Sequence, residues 1–207
     1  MDSPRRFILF FLLLMLGVSS FLYIPRYLAE RAQTAELANL ISNPESGKTR
    51  SLEARTKSAG CISENSLPDH ACTPGAVFGD ISEDRVCTPG YSKTVRNVPQ
   101  KLRKEVFAEY GVPYSQPRGS YEVDHLIPLA LGGDNEIANL FPQPAEPPPG
   151  FREKDIVEIF LHEEVCAGRA DLASSQWQIA NDWLAIYKNL TAAQIEKIKN
   201  KYRNWSN

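Results

Sequence analysis

The chain has 207 residues, a length that suits one compact domain with appendages. Its hydrophobic share of 43% excludes a wholly disordered polymer. With 25 acidic against 23 basic side chains and a net charge of -2, global attraction to nucleic acid is excluded as well, so any such partner must meet a local basic patch.

At the N-terminus, Arg5-Arg6 precede an apolar run from Phe7 to Ile24, broken only by Gly17, Ser19 and Ser20. A basic flank before an apolar segment is an export signal. The run is longer than the ~7–15 residues of a cleavable core and close to the ~17–25 that span a bilayer. Phe21-Leu22-Tyr23-Ile24-Pro25 leaves no small-residue cleavage site directly after it. Residues 1–25 are therefore expected to form a transmembrane signal anchor, or a signal peptide if cleaved. The following domain then lies outside the cytoplasm, membrane-anchored through this helix or secreted. Residues 26–68 read as a flexible stalk, with a short helix over Tyr27 to Ile41 and then a Ser-, Gly- and charge-rich stretch too poor in apolar residues to offset its ordering entropy. The folded domain is expected over residues 69–207.

Four cysteines follow, at Cys61, Cys72, Cys87 and Cys166. An even count in an exported chain points to disulfides, with three connectivities open. No Cys-x-x-Cys pair is present, which argues against structural zinc despite His70 nearby. The segment from 85 to 119 is basic: Arg85, Lys93, Arg96, Lys101, Arg103, Lys104 and Arg118 outnumber Glu105 and Glu109. Within it a helix is expected from Gln100 to Tyr110, closed by Gly111 and Pro113.

Tyr121-Glu122-Val123-Asp124-His125 alternates as a strand, which puts Tyr121, Val123 and His125 on one face. A turn at Gly132-Gly133-Asp134-Asn135 leads to a second short apolar run, Ile137 to Phe141, ending at Pro142. After a Pro-rich break, a helix is expected from about Arg152 to Cys166, capped by Gly168. A further helix runs from Leu172 to Tyr187, with Trp177 and Trp183 at helical spacing as core residues. Thr191 is the expected N-cap of a last helix.

Asp124-His125, the Gly132-Gly133 turn, Asn139-Leu140 and a helix offering Glu158 and His162 together resemble the HNH nucleases. More narrowly, the stretch looks like a subgroup of exported HNH-type proteins with a DHLIPL…GG…NL core, matched here also by Lys154-Asp155, Leu161-His162 and Val165-Cys166. The resemblance spans roughly residues 70 to 188. It implies an α+β fold with a ββα-metal core and flanking helices, holding one divalent ion (Mg²⁺, Mn²⁺ or Zn²⁺) between hairpin and helix.

The implied activity is metal-dependent endonuclease cleavage of phosphodiester bonds, with nucleic acid, DNA first, as the partner and no protein partner expected. His125 is the implied general base, which suits its near-neutral intrinsic pKa. Asn139 is implied to hold the inter-strand loop and orient the base. Asp124, Glu158 and His162 are the candidate metal ligands; the last two, four apart, share a helical face. Lys154 and Arg152 at the helix start, with Lys101, Arg103 and Lys104 upstream, are candidate substrate-binding residues. The chain departs from many HNH nucleases in placing about twenty residues, including Pro147-Pro148-Pro149, between Asn139 and His162. The competing reading is a non-catalytic nucleic-acid-binding or envelope interaction protein that keeps the fold.

Overall fold

A computed structural model describes residues 53–202. The expected signal anchor, the first part of the stalk and the last five residues lie outside the described residues. Among those described, no helix is long and apolar enough to cross a membrane.

The fold is α+β, a two-stranded sheet among helices. In chain order the elements are α1 (Glu83–Val86), α2 (Tyr91–Val95), α3 (Gln100–Glu109), β1 (Tyr121–His125), β2 (Leu140–Pro144), α4 (Phe151–Cys166), α5 (Leu172–Asn189) and α6 (Ala192–Lys201). Two 3-10 turns, Leu129–Leu131 and Ile137–Asn139, occupy the long loop between the strands.

β1 and β2 pair antiparallel, with His125 opposite Leu140, Val123 opposite Pro142 and Tyr121 opposite Pro144. The second strand thus begins three residues later than the apolar run suggested and carries two prolines. Leu126 N–H donates to Asn139 O and Ala145 N–H to Ser120 O, so odd positions of β2 carry the ladder bonds. Pro142 and Pro144 fall on alternate positions that owe β1 no donor, which is where a strand tolerates proline.

The organising helix is α4. Ile156, Val157, Ile159, Phe160, Leu161 and Val165 are all buried, because the helix packs against the hairpin, the first 3-10 turn, α1 and α5 together. Apolar residues therefore surround it rather than forming one stripe. Its first turn is closed by the Glu153 carboxylate, which accepts from Gly150 N–H at 2.8 Å. Asp171 caps α5 by accepting from Ser174 N–H, and Thr191 caps α6 in a capping box with Gln194. α5 is kinked at Asp182. Trp183 is fully buried and donates to Ser66 O at 3.3 Å, as a core residue should, while Trp177 is half-buried.

The cysteines pair as Cys61–Cys72 and Cys87–Cys166. The second bridge fastens the end of α1 to the end of α4. The first, with the Arg55–Glu109 ion pair, Lys57–Asp69 at 2.8 Å and Ser66 Oγ–H donating to Pro149 O at 2.8 Å, ties residues 55–68 onto the domain. That corrects the stalk boundary: these residues are anchored, because Cys61 and the apolar Leu67 join the core.

Candidate functional site

The site forms where β1 meets the first two turns of α4. Lys154, on the buried side of α4, is 0% exposed. Its ammonium lies 3.0 Å from Asp124 Oδ2 and 2.5 Å from Glu158 Oε1, and donates to the His125 carbonyl at 2.7 Å. Burial works against its charge, but Asp124 and Glu158 outweigh burial and hold its pKa above the ordinary lysine value. Asp124 Oδ1 accepts from the His125 N–H at 2.8 Å. Its Oδ2 keeps only the ion pair and is otherwise a buried oxygen without a hydrogen bond.

Carboxylates outnumber cations here. Asp155 and Glu158 both have pKa values pushed well up, first by burial; Asp124 adds repulsion to both and Glu158 adds it to Asp155, while Lys154 pulls the other way. Glu122 is raised too, by desolvation and then by Asp124. Arg96 is the other cation whose field reaches Glu122, His125 and Glu158, and Arg152 acts on Glu122. Oxygen donors in negative excess suit a hard divalent cation that keeps much of its water. No three carboxylate oxygens lie within 4.8 Å of one another among the described residues, which fits one or two direct carboxylate ligands rather than a full protein cage.

His125, at the end of β1, is 3% exposed. Burial, against the pull of Asp124 and of Asn135, brings its pKa down to about 4, so the ring is neutral at neutral pH. Strand alternation separates the two members of the Asp-His pair. The Asp124 carboxylate turns to α4, and His125 Nε2 lies 3.2 Å from Asn135 Oδ1 in the loop. Lys154 reconnects them by taking the side chain of one and the carbonyl of the other.

Asn139 is 0% exposed and works as a clamp across the loop. Its Oδ1 accepts from Ile127 N–H at 2.9 Å, and its Nδ2 donates to Ile127 O and to Asp134 O, both at 2.9 Å. Asn139 bonds loop backbone on both sides, and the side chain that touches His125 is Asn135.

Two expectations need correcting. Lys154 is not on the surface where a substrate-binding role was expected: it is sealed in the core with three oxygens around its ammonium. His162 does not join Asp124 and Glu158. One turn further along α4 its Nε2 lies 3.0 Å from Val86 O and 3.4 Å from Cys166 Sγ. Ligand atoms of Cys87, His162 and Cys166 lie within 4.8 Å of one another and could hold a metal ion. While the Cys87–Cys166 bridge is closed, however, both sulfurs are bonded to each other and only the imidazole can ligate.

Lys101, Arg103 and Lys104 are exposed on α3, whose Val106 and Phe107 face inward against the hairpin. Arg152 is exposed over the Phe151 ring at 4.8 Å. Asp155, Arg96 and Asn135 escaped selection as site residues, although each lies in a segment already singled out: the Lys154-Asp155 pair, the basic stretch and the Gly132-Gly133 turn. A cavity of about 880 Å³ opens elsewhere, lined by Leu67, Tyr110, Tyr121, Pro142, Pro144 and Leu184 and by none of the carboxylates just described.

Comparison with known proteins returned no match: no family model, no curated protein and no solved structure matches the chain.

Proposed function

We propose that the chain is a metal-dependent, HNH-type endonuclease that hydrolyses phosphodiester bonds of DNA outside the cytoplasm. The observation that carries this reading is the carboxylate excess of Asp124, Asp155 and Glu158 where hairpin meets helix, with the neutral His125 at the adjoining strand end. One or two of the carboxylates Asp124, Asp155 and Glu158 would ligate the cation directly and the rest through its water, in place of the set that included His162. When bound, a divalent cation would supply positive charge where the leaving oxygen develops its own.

His125 receives a proton from the attacking water. Its neutral form is the one a base requires, and a substrate phosphate beside the ring would raise its low pKa toward the working range. Arg96 and Arg152, both exposed, offer charge to the scissile phosphate, while Lys101, Arg103 and Lys104 track the backbone further off. Lys154 acts from inside: it fixes Asp124, Glu158 and the His125 carbonyl relative to one another.

One observation favours the non-catalytic reading, a nucleic-acid-binding or envelope interaction protein: the Lys154 ammonium already neutralises part of the carboxylate group. The two readings separate when metal-stripped protein is incubated with supercoiled plasmid and with RNA, with and without Mg²⁺, Mn²⁺ or Zn²⁺. Cleavage that requires an added ion supports the nuclease. Binding without cleavage under every ion supports the alternative.

A further inference from the structure

Asn135 is held at both ends of its amide by backbone at the end of α2 and just beyond it. Its Nδ2 donates to Val95 O at 2.8 Å, and its Oδ1 accepts from Asn97 N–H at 3.1 Å. A carbonyl can only accept and a backbone N–H can only donate, so these partners fix which end of the amide is oxygen. The end that faces His125 Nε2, at 3.2 Å, is therefore an acceptor. An acceptor opposite Nε2 requires that Nε2 carry the proton. The neutral imidazole has one N–H, which leaves Nδ1 with the free lone pair. Among the described residues the ring's hydrogen bond runs through Nε2, which leaves Nδ1 uncommitted.

We infer that Asn135 is the positioning residue of the site: it sets His125 as the Nε2–H tautomer and so makes Nδ1 the nitrogen that accepts a proton. The position of Asn135 follows from its neighbours. Gly132, at φ 79°, sits against Ile81, and Gly133 passes so close to Ile127 that a Cβ would stand 1.8 Å from the carbonyl oxygen. This close passage brings Asn135 back over the end of β1 while Asn139 locks the loop behind it. The resemblance gave the orienting task to Asn139, whose amide is committed to Ile127 and Asp134 instead.

The catalytic consequence rests on the nuclease reading; the tautomer does not, and the test keeps them apart. The full chain in detergent micelles, with its three histidines labelled with ¹⁵N in the ring, is examined by NMR at neutral pH beside Asn135→Asp and Asn135→Ala. Wild type is expected to show His125 with a protonated Nε2 and an unprotonated Nδ1. Asn135→Asp keeps an acceptor oxygen for the ring and for Asn97 N–H, and should keep that pattern. Asn135→Ala should give averaged or inverted nitrogen shifts at His125 while His70 and His162 stay unchanged.

A wild-type His125 protonated on Nδ1 would overturn the inference, even if Asn135→Ala failed to fold. So would an unchanged His125 spectrum in a folded Asn135→Ala. If the chain cleaves DNA, Asn135→Ala should lose roughly 10²- to 10⁴-fold in kcat with little change in KM, and Asn135→Asp should recover part of it. The expected tautomer in a protein that cleaves nothing would sink the nuclease reading and leave the positioning role standing.

Discussion

Lys154 shows how a single buried residue can tie several polar groups together. A fully buried ammonium is costly unless each of its protons finds an oxygen, and here three oxygens are present. Lys154→Met keeps the stem and removes the charge. It leaves Asp124 and Glu158 facing each other, so we expect a loss of about 3–5 kcal/mol in urea unfolding, as for other broken buried pairs. A loss under about 1 kcal/mol would mean that the carboxylates simply take up protons.

His125 sets the acid side of the stability profile. Its folded pKa of about 4 lies below the ordinary 6.5. The unfolded state therefore binds more protons between those values, and stability must fall as pH drops from about 6.5 to about 4. Asp155 and Glu158, raised by burial, act in the opposite sense: their strain grows as pH rises above the usual carboxylate range. Urea midpoints across this window should lose part of their acid slope in His125→Gln. An identical slope in the variant would place the proton uptake elsewhere.

Among the elements, the strand-to-strand loop carries the most information per residue. It replaces a tight hairpin with two 3-10 turns so that Asn139 can bond both Ile127 backbone groups. Gly133→Ala should displace that clamp, since its Cβ would meet Ile127 O at 1.8 Å and Asn139 Nδ2 at 2.8 Å. Overpacking of this kind costs about 1–3 kcal/mol. Hydrogen exchange at the Ile127 N–H, which Asn139 Oδ1 protects, should speed up with it; protection left intact would show that the loop closes without Asn139.

Much at this scale was legible in the sequence. Period-two alternation located β1, the Pro-rich break marked the start of α4, helical spacing located α5, and the Thr191 cap marked the start of α6. The start of β2 was not, because Ile137 to Asn139 look like strand residues until the loop's need for a turn is known. Nor were Asn135 over His125, or Lys154 between Asp124 and Glu158. The Asn135–His125 and Lys154–Asp124 contacts join residues ten and thirty positions apart, set by how the loop and α4 dock rather than by any local period. His162 misled for a related reason. Spacing by four does place it on the Glu158 face, but a turn of helix carries it past the hairpin to α1.

For the whole molecule, the two disulfides divide the work unequally. Cys87–Cys166 closes a separation of 79 residues and Cys61–Cys72 one of 11. On the chain-entropy account, removing the first should cost about 4–5 kcal/mol and the second about 3 kcal/mol. Comparing Cys87→Ala/Cys166→Ala with Cys61→Ala/Cys72→Ala by urea denaturation tests this. A larger loss from the short bridge would instead assign the stability to how residues 55–68 dock on the core. Two disulfides fit an oxidising compartment, which is where an exported domain would work.

Under the proposed function, neutral His125 at the strand end and the neighbouring carboxylates serve phosphodiester cleavage. The most direct test sets wild-type protein beside His125→Ala on supercoiled plasmid DNA in Mn²⁺, with nicked product followed over time. The account predicts nicking by wild type, none when the ion is chelated, and a loss of at least about 10²-fold in the folded variant. Equal nicking by both proteins, or none by wild type with any divalent ion, would contradict it.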